Sequence, residues 1–382
     1  MRKIHFLFLF FISYPFISWA DKDIHESLIK VNAGEKGLRF SAYADGYIAY
    51  DFDNPIDAQE DHDLTDGLGG RDYTSNPLYD RQFSLGYGFF QIEFDHKNIG
   101  LRLAHHFGDI VQKMYIEEPE RLKNIREASI NIRLNDELLL EVGYLPSIFG
   151  FETFINKDNL HASRAYMTDF APDFESGVRL YWKKSVREMI KFQVTNGWQV
   201  LRDSNKSEAL GFAYVYDKPK HFHFNWGQFI GDEAPSGAKS SYRYYNNLFS
   251  KIYLTEKWIL APMLDVGWEQ RNHSDKAQKS WVPWQSYGAS LRYAFNPKHG
   301  LAGRFDRTYD PNTIIPELRT NTKHGWISNG YTLTYEYTFN TMAVFRIEGR
   351  YVKSRDAVFR TSKVGKLSNE DSYAMSQMAV SF

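Results

Sequence analysis

From residue 38 to residue 382 the chain repeats one device: segments of about ten residues in which apolar and polar side chains alternate with period two. In LRFSAYADGYIAY, Leu38, Phe40, Ala42, Ala44, Gly46 and Ile48 form one face, and Arg39, Ser41, Tyr43, Asp45 and Tyr47 the other. ASINIRL sets Ile130, Ile132 and Leu134 against Ser129, Asn131 and Arg133. Near the end, Phe345, Ile347 and Tyr351 alternate with Arg346, Glu348 and Arg350. Successive side chains of a strand point to opposite faces, so this pattern commits the chain to an all-β fold. Past residue 20 there is no apolar run near the ~20 residues a membrane helix needs.

About sixteen such segments start near residues 38, 84, 98, 125, 137, 174, 187, 208, 220, 242, 257, 283, 298, 326, 341 and 372. The connections between them alternate in length. Short ones include NDE, DKPK, TEK, NPKHG and FNT; long ones cover 52–82, 107–123, 145–173, 197–207, 230–241, 270–282, 309–324 and 354–371. A soluble sandwich or propeller has no reason to sort its loops this way. Outer-membrane barrels do, with short turns on the periplasmic side and long loops outside. The expected fold is a transmembrane up-and-down antiparallel β-barrel over 38–382, of about 16 strands within a range of about 14–18.

Composition fits this reading. Mean hydropathy is −0.50, as expected when half of every strand faces water, and aromatics reach 16% with 25 Tyr and 29 Phe. Cysteine is absent, which excludes a disulfide scaffold, a thiolate metal site and a lipidated cysteine. The start, MRKIHFLFLFFISYPFISWA, has Arg2 and Lys3, an apolar run and small residues at Ser18 and Ala20. That is the layout of a secretory signal peptide, 1–20, cleaved after Ala20, followed by a periplasmic N-terminal segment, 21–37. Without it the chain keeps 44 basic and 47 acidic residues, net −3, and nothing points to nucleic acid.

EVGYLPSIFGFE, NLHASRAYMTDFAPDFESGVRLYW and FQVTNGW together resemble the OmpL-like β-barrel porin-2 family, over nearly the whole mature chain. The resemblance implies a Gram-negative outer-membrane porin, expected to be a water-filled channel for passive diffusion of small polar solutes. No G-x-S-x-G elbow or other nucleophile grouping occurs, so neither an enzymatic activity nor a cofactor is expected. The resemblance also implies outer-membrane lipid and lipopolysaccharide as surroundings, a homo-oligomer such as a trimer as one possible assembly, and Phe382 as the residue read by the barrel-assembly machinery. A saccharide-selective channel is one alternative, suggested by the aromatic clusters SYRYYNN (241–247) and WVPWQ (281–285). A surface adhesin or structural barrel with ligand-binding loops is another.

Sixteen strands enclose an aqueous channel, so inward charges are candidate pore lining. By register these are Arg39, Arg102, Arg133, Arg179, Lys191, Lys251, Arg292, Arg304, Arg346 and Arg350, against Asp45, Glu93, Asp95, Glu127, Glu141, Asp265, Glu269, Asp306, Glu336 and Glu348. Ten face ten, which gives no preference of sign. The third long loop, 145–173, is too apolar for a solvated loop, with Ile148, Phe149, Phe151, Phe154, Ile155, Leu160, Tyr166, Met167 and Phe170. It is expected to fold into the barrel as a constriction, with Glu152, Lys157, Asp158, Arg164, Asp169 and Asp173 as its charges. The alternative is a compact external loop. No metal site is expected: His105–His106 and His221–His223 have no carboxylate at ligand spacing. Carboxylates cluster in DAQEDHDLTDG, within the acidic loop 52–82, without EF-hand spacing; calcium there is left open.

Overall fold

The computed structural model describes residues 37–53, 70–203, 205–272, 279–316, 318, 321–363 and 366–382. The signal peptide, residues 21–36 of the N-terminal segment and the DAQEDHDLTDG run lie outside these.

Sixteen strands close into one antiparallel barrel. They are β1 (Gly37–Asp51), β2 (Phe83–His96), β3 (Ile99–Phe107), β4 (Ile125–Arg133), β5 (Leu138–Pro146), β6 (Phe174–Lys183), β7 (Glu188–Thr195), β8 (Ala209–Lys218), β9 (Phe222–Asp232), β10 (Tyr242–Tyr253), β11 (Trp258–Asn272), β12 (Lys279–Asn296), β13 (His299–Asp310), β14 (Trp326–Thr338), β15 (Ala343–Ser354) and β18 (Glu370–Ser381). Each strand pairs with its sequence neighbour in the barrel, and β18 pairs with β1 from Tyr43↔Ser381 to Asp51↔Tyr373. The last long loop holds a separate hairpin, β16 (Phe359–Arg360) with β17 (Leu367–Ser368). Two helices, α1 (Asp109–Met114) and α2 (Glu120–Lys123), lie between β3 and β4; α3 (Tyr166–Asp169) lies between β5 and β6.

The observed register is the one the alternation predicts. Phe40, Ile130, Leu333 and Ile347 are exposed on the outer face, whereas Glu141, Arg179, Arg346 and Glu348 are buried on the inner one. Aromatics gird both ends of the outer surface: Trp182, Trp258, Phe295 and Phe339 at the short-turn end, Tyr50, Tyr242, Trp281 and Tyr351 at the long-loop end. Some boundaries move. The first strand starts one residue before the expected 38, and β5 runs to Pro146, so the third loop is 147–173. β11 and β12 reach into the expected loop 270–282, because pairing continues through Gln270↔Trp281 and Arg271↔Ser280.

The short turns have a common local cause. In five of the seven, one side-chain oxygen accepts backbone N–H groups two and three residues ahead. Asn135 binds Glu137 and Leu138, Ser185 binds Arg187 and Glu188, and Thr255 binds Lys257 and Trp258. Asn296 binds Lys298 and His299, and Asn340 binds Met342 and Ala343. The other two place Lys97 and Lys220 at positive φ, 55° and 59°.

Inner-face glycines make room for aromatic rings. Gly267 pairs with Trp284, and a Cβ at Gly267 would lie 2.0 Å from the indole. Gly267→Val is expected to push Trp284 off the wall and destabilise the barrel by about 1–3 kcal/mol, as overpacking does. The check is a lower temperature for the shift from folded to unfolded mobility on semi-native gels.

Candidate functional site: the third long loop and the inner wall

Residues 147–173 leave the long-loop end of β5 and cross the inside of the barrel. The Phe149 ring meets Tyr245 at 5.7 Å, and Gly150 N–H donates to Asn247 Oδ1 at 3.1 Å. Phe151 packs on Phe249, and Phe154 lies 5.4 Å from Tyr87 on the far wall. Lys157 Nζ reaches Ser381 Oγ and, at 3.4 Å, the carbonyl of Thr341 in a short turn. The loop returns along β12–β15 and ends with Tyr166 edge-on to Trp326. Within it, Asn159 accepts from Thr153 N–H and donates to Thr153 O, closing a small ring around the 3-10 turn Asn156–Asp158. Ile148, Phe149, Phe154, Leu160, Tyr166 and Met167 are all buried, and each such side chain contributes about 1.5–3 kcal/mol to holding the loop in.

Buried polar groups of the wall fix its position. Arg304 Nη1 donates to Glu152 at 2.5 Å and to the Ser163 carbonyl at 2.8 Å. Arg346 gathers the carbonyls of Asn156, Lys157, Asn159 and His161. Glu348 accepts the N–H groups of Ala162 (2.7 Å) and Ser163 (3.0 Å), the Ser163 hydroxyl, and Thr334 Oγ1 (2.7 Å). His161 sits fully buried between Thr334 Oγ1 and Ser290 Oγ.

The six charged residues expected at the constriction therefore divide. Glu152, Arg164 and Asp169 are buried in contacts that hold the loop; Lys157, Asp158 and Asp173 keep partial exposure. Arg164 pairs with Asp173 at 2.7 Å and Asp169 at 2.9 Å, and stacks over Phe154. Burial pushes the Asp173 carboxyl up to about 6, against the pull of Arg164. Asp169 accepts from Ser75 Oγ at 2.6 Å, which ties the first long loop to the third.

Most of the lining candidates are held in polar contacts along the inner wall. Along β3–β7, Arg102 donates to Glu141 at 3.2 Å and lies 3.8 Å from Glu127. Tyr181 donates to Glu141 at 2.6 Å, and Arg179 joins Tyr181, Gln193 and Glu175. Lys191 lies 5.5 Å above the Tyr181 ring. Arg39 pairs with Glu93 and Asp95, Glu269 with Arg243, and Glu336 with both Arg292 and Arg346. Asp306 binds Arg350 and lies 3.4 Å from Arg304. Asp265 accepts from Asn247 at 2.6 Å.

Other features were not visible in the sequence. The second long loop also turns inward: Ile110 and Val111 are fully buried, and Tyr115 stacks on Phe174 at 3.9 Å. At the outer rim the carboxylates of Asp51, Asp53 and Asp371 lie close together; Arg71 bridges Asp51 and Asp371, and Asp53 accepts from Ser372. His105 and His106 point to opposite faces, His106 inward against Tyr87 OH and the Lys123 carbonyl. Of the two aromatic stretches, Tyr245 and Trp284 face inward but are buried, whereas Tyr242 and Trp281 belong to the outer girdle.

A closed sheet with an apolar outside, a polar inside and a long loop folded through its lumen defines a porin-type outer-membrane barrel. The chain belongs to the family described as "Putative beta-barrel porin-2, OmpL-like", whose model matches residues 37–382. No protein of curated function matches it by sequence. Solved structures with the same fold include an anion-selective porin from Comamonas acidovorans, 11% identical, covering 91% of this chain and 100% of that one, TM-score 0.59. Outer-membrane expressed OmpT of Vibrio cholerae is 8% identical, with 92% and 99% coverage and TM-score 0.57. Pseudomonas putida OprB is 12% identical, with 94% and 96% coverage and TM-score 0.56.

Arg304→Met leaves the Glu152 carboxylate buried without its cation, a loss of about 3–5 kcal/mol. It falls on the loop, since the backbone ladder of β13 is untouched. The expected result is new tryptic cleavage after Lys157 or Arg164 in a barrel that keeps its folded gel mobility.

Proposed function

We propose that the protein is an outer-membrane channel for passive diffusion of small polar solutes, with residues 147–173 as its constriction. One observation carries this reading: the loop runs from the long-loop rim of β5 to Ser381 and Thr341 at the short-turn end, held by wall residues Arg304, Arg346 and Glu348. A loop anchored at both levels sets the cross-section that a solute meets. Lys157 and Asp158 are its partly exposed charges; Glu152, Arg164, Asp169 and the Arg164-paired Asp173 keep it in place.

The alternatives have less support. Sugar stacking needs exposed ring faces, and Tyr245 and Trp284 are covered by Phe149, Trp198 and each other. An adhesin would present its loops outward, whereas the described parts of the first three long loops bury Leu78, Ile110 and Phe149. The same reading makes the chain a channel rather than an enzyme, exported by its N-terminal signal and inserted by the barrel-assembly machinery, with Phe382 packed against lipid.

Self-association belongs to this proposal as well. One Vibrio cholerae OmpT structure of the same fold is described as a trimer form, 9% identical with TM-score 0.51. On the outer face here, Gln228 Nε2 donates to Tyr244 OH at 2.7 Å and to Asn246 Oδ1 at 3.0 Å. Such polar groups are costly against acyl chains, and a neighbouring subunit would cover them.

Single-channel recording in planar bilayers tests the constriction. Deletion of 152–169 is expected to raise the conductance severalfold; an unchanged conductance in a folded barrel would sink the assignment of the loop.

A further inference from the structure

The inner wall holds similar numbers of acidic and basic side chains, but at different depths. Among the described strand residues that face inward, Glu336 is the one carboxylate that is not buried. Asp45, Glu93, Asp95, Glu127, Glu141 and Asp265 are all buried. The cations divide: Arg102, Arg179, Arg304, Arg346 and Arg350 are buried with their partners, but Arg39, Arg126, Arg133, Lys191, Lys251 and Arg292 all keep accessible surface.

The cause is side-chain length. An Asp or Glu carboxylate ends close to the strand that carries it, and an arginine from the next strand folds over it. At β1–β2 the Arg39 side chain is 35% exposed, while Glu93 and Asp95 beneath it are 11% and 10%. At β4, Arg126 is 19% exposed against 6% for Glu127, 3.7 Å away. Where a carboxylate has no covering cation, hydrogen bonds hold it at the wall: Asp45 to Tyr43 OH at 2.7 Å, Asp265 to Asn247 at 2.6 Å. Arg133 and Lys191 go further. Among the described residues neither has a carboxylate in salt-bridge contact, and they flank the buried Glu141–Tyr181–Arg179 network on β5 and β6, Arg133 beside Leu139 and Lys191 beside Tyr181.

We infer that the channel is selective for anions, with the positively charged tips of these side chains forming the surface a permeating ion meets. The solute class that follows is small anions: chloride and compact carboxylates or phosphates. The inference rests on the channel reading above. A solute in water feels the nearest charge most, because salt screens the rest within about 8–10 Å. One unit charge about 8 Å away through water changes the local anion population by about twofold.

The test is the reversal potential of the full-length protein in a neutral phosphatidylcholine bilayer across a tenfold KCl gradient. The expected sign is that of chloride passing in preference to potassium. Replacing Arg133→Glu and Lys191→Glu together is expected to lower the chloride-to-potassium permeability ratio at least about fourfold. The neutral pair Arg133→Met and Lys191→Met, checked for folded gel mobility, is expected to give about half that change on a logarithmic scale. A reversal potential near zero or of cation sign in the unaltered protein would overturn the selectivity while leaving the channel intact. No conductance from a folded barrel would instead overturn the channel reading, and the selectivity with it.

Discussion

Inside a hydrocarbon layer a backbone N–H or C=O has no water to bond, and the rest of this structure depends on that condition. A sheet meets it only by closing on itself. The seam is where β18 returns to β1, with Phe382 N–H on the Ala42 carbonyl at 2.8 Å and Ala42 N–H on the Phe382 carbonyl at 3.2 Å. Closure then forces the chemistry of both faces. Period-two side chains must be apolar toward lipid and are free to be charged toward the lumen, so the interior of this barrel is rich in ion pairs, unlike the core of a soluble protein.

Those ion pairs serve a second purpose. Burying charge is unfavourable unless it is paired and hydrogen-bonded, and here much of the pairing is with a loop rather than within the wall. Arg304, Arg346 and Glu348 find partners in Glu152, the carbonyls of 156–161 and the amides of Ala162 and Ser163. Loop and wall therefore complete each other: without the loop these three would be left partly unsatisfied, and without them the loop's own backbone groups would be.

Much of the fold was legible because it follows from a local rule. The faces of Arg39, Glu141, Arg179 and Arg346 follow from counting by two, and the alternation of turn and loop lengths gives the topology. The apolar content of the third loop already set it apart from a solvated loop. What the sequence does not show is depth and long-range pairing. Glu152 and Asp158 look alike in a string of letters; only the position of Arg304 on β13, about 150 residues away, turns Glu152 into a fixed contact. Arg71 meeting Asp371, 300 residues apart, is invisible to any local pattern, and so is the docking of α1 against Tyr87 and Phe89.

The contact of Lys157 with Ser381 and the Thr341 carbonyl has a mechanical meaning. A thin cylinder of sixteen strands resists squeezing poorly, since an oval outline keeps every interstrand hydrogen bond. A chord tied to one wall at Phe149, to the opposite wall at Phe154 and to the lower rim at Lys157 works like a spoke. It joins opposite walls, so an oval distortion of the barrel would have to pull these loop contacts apart.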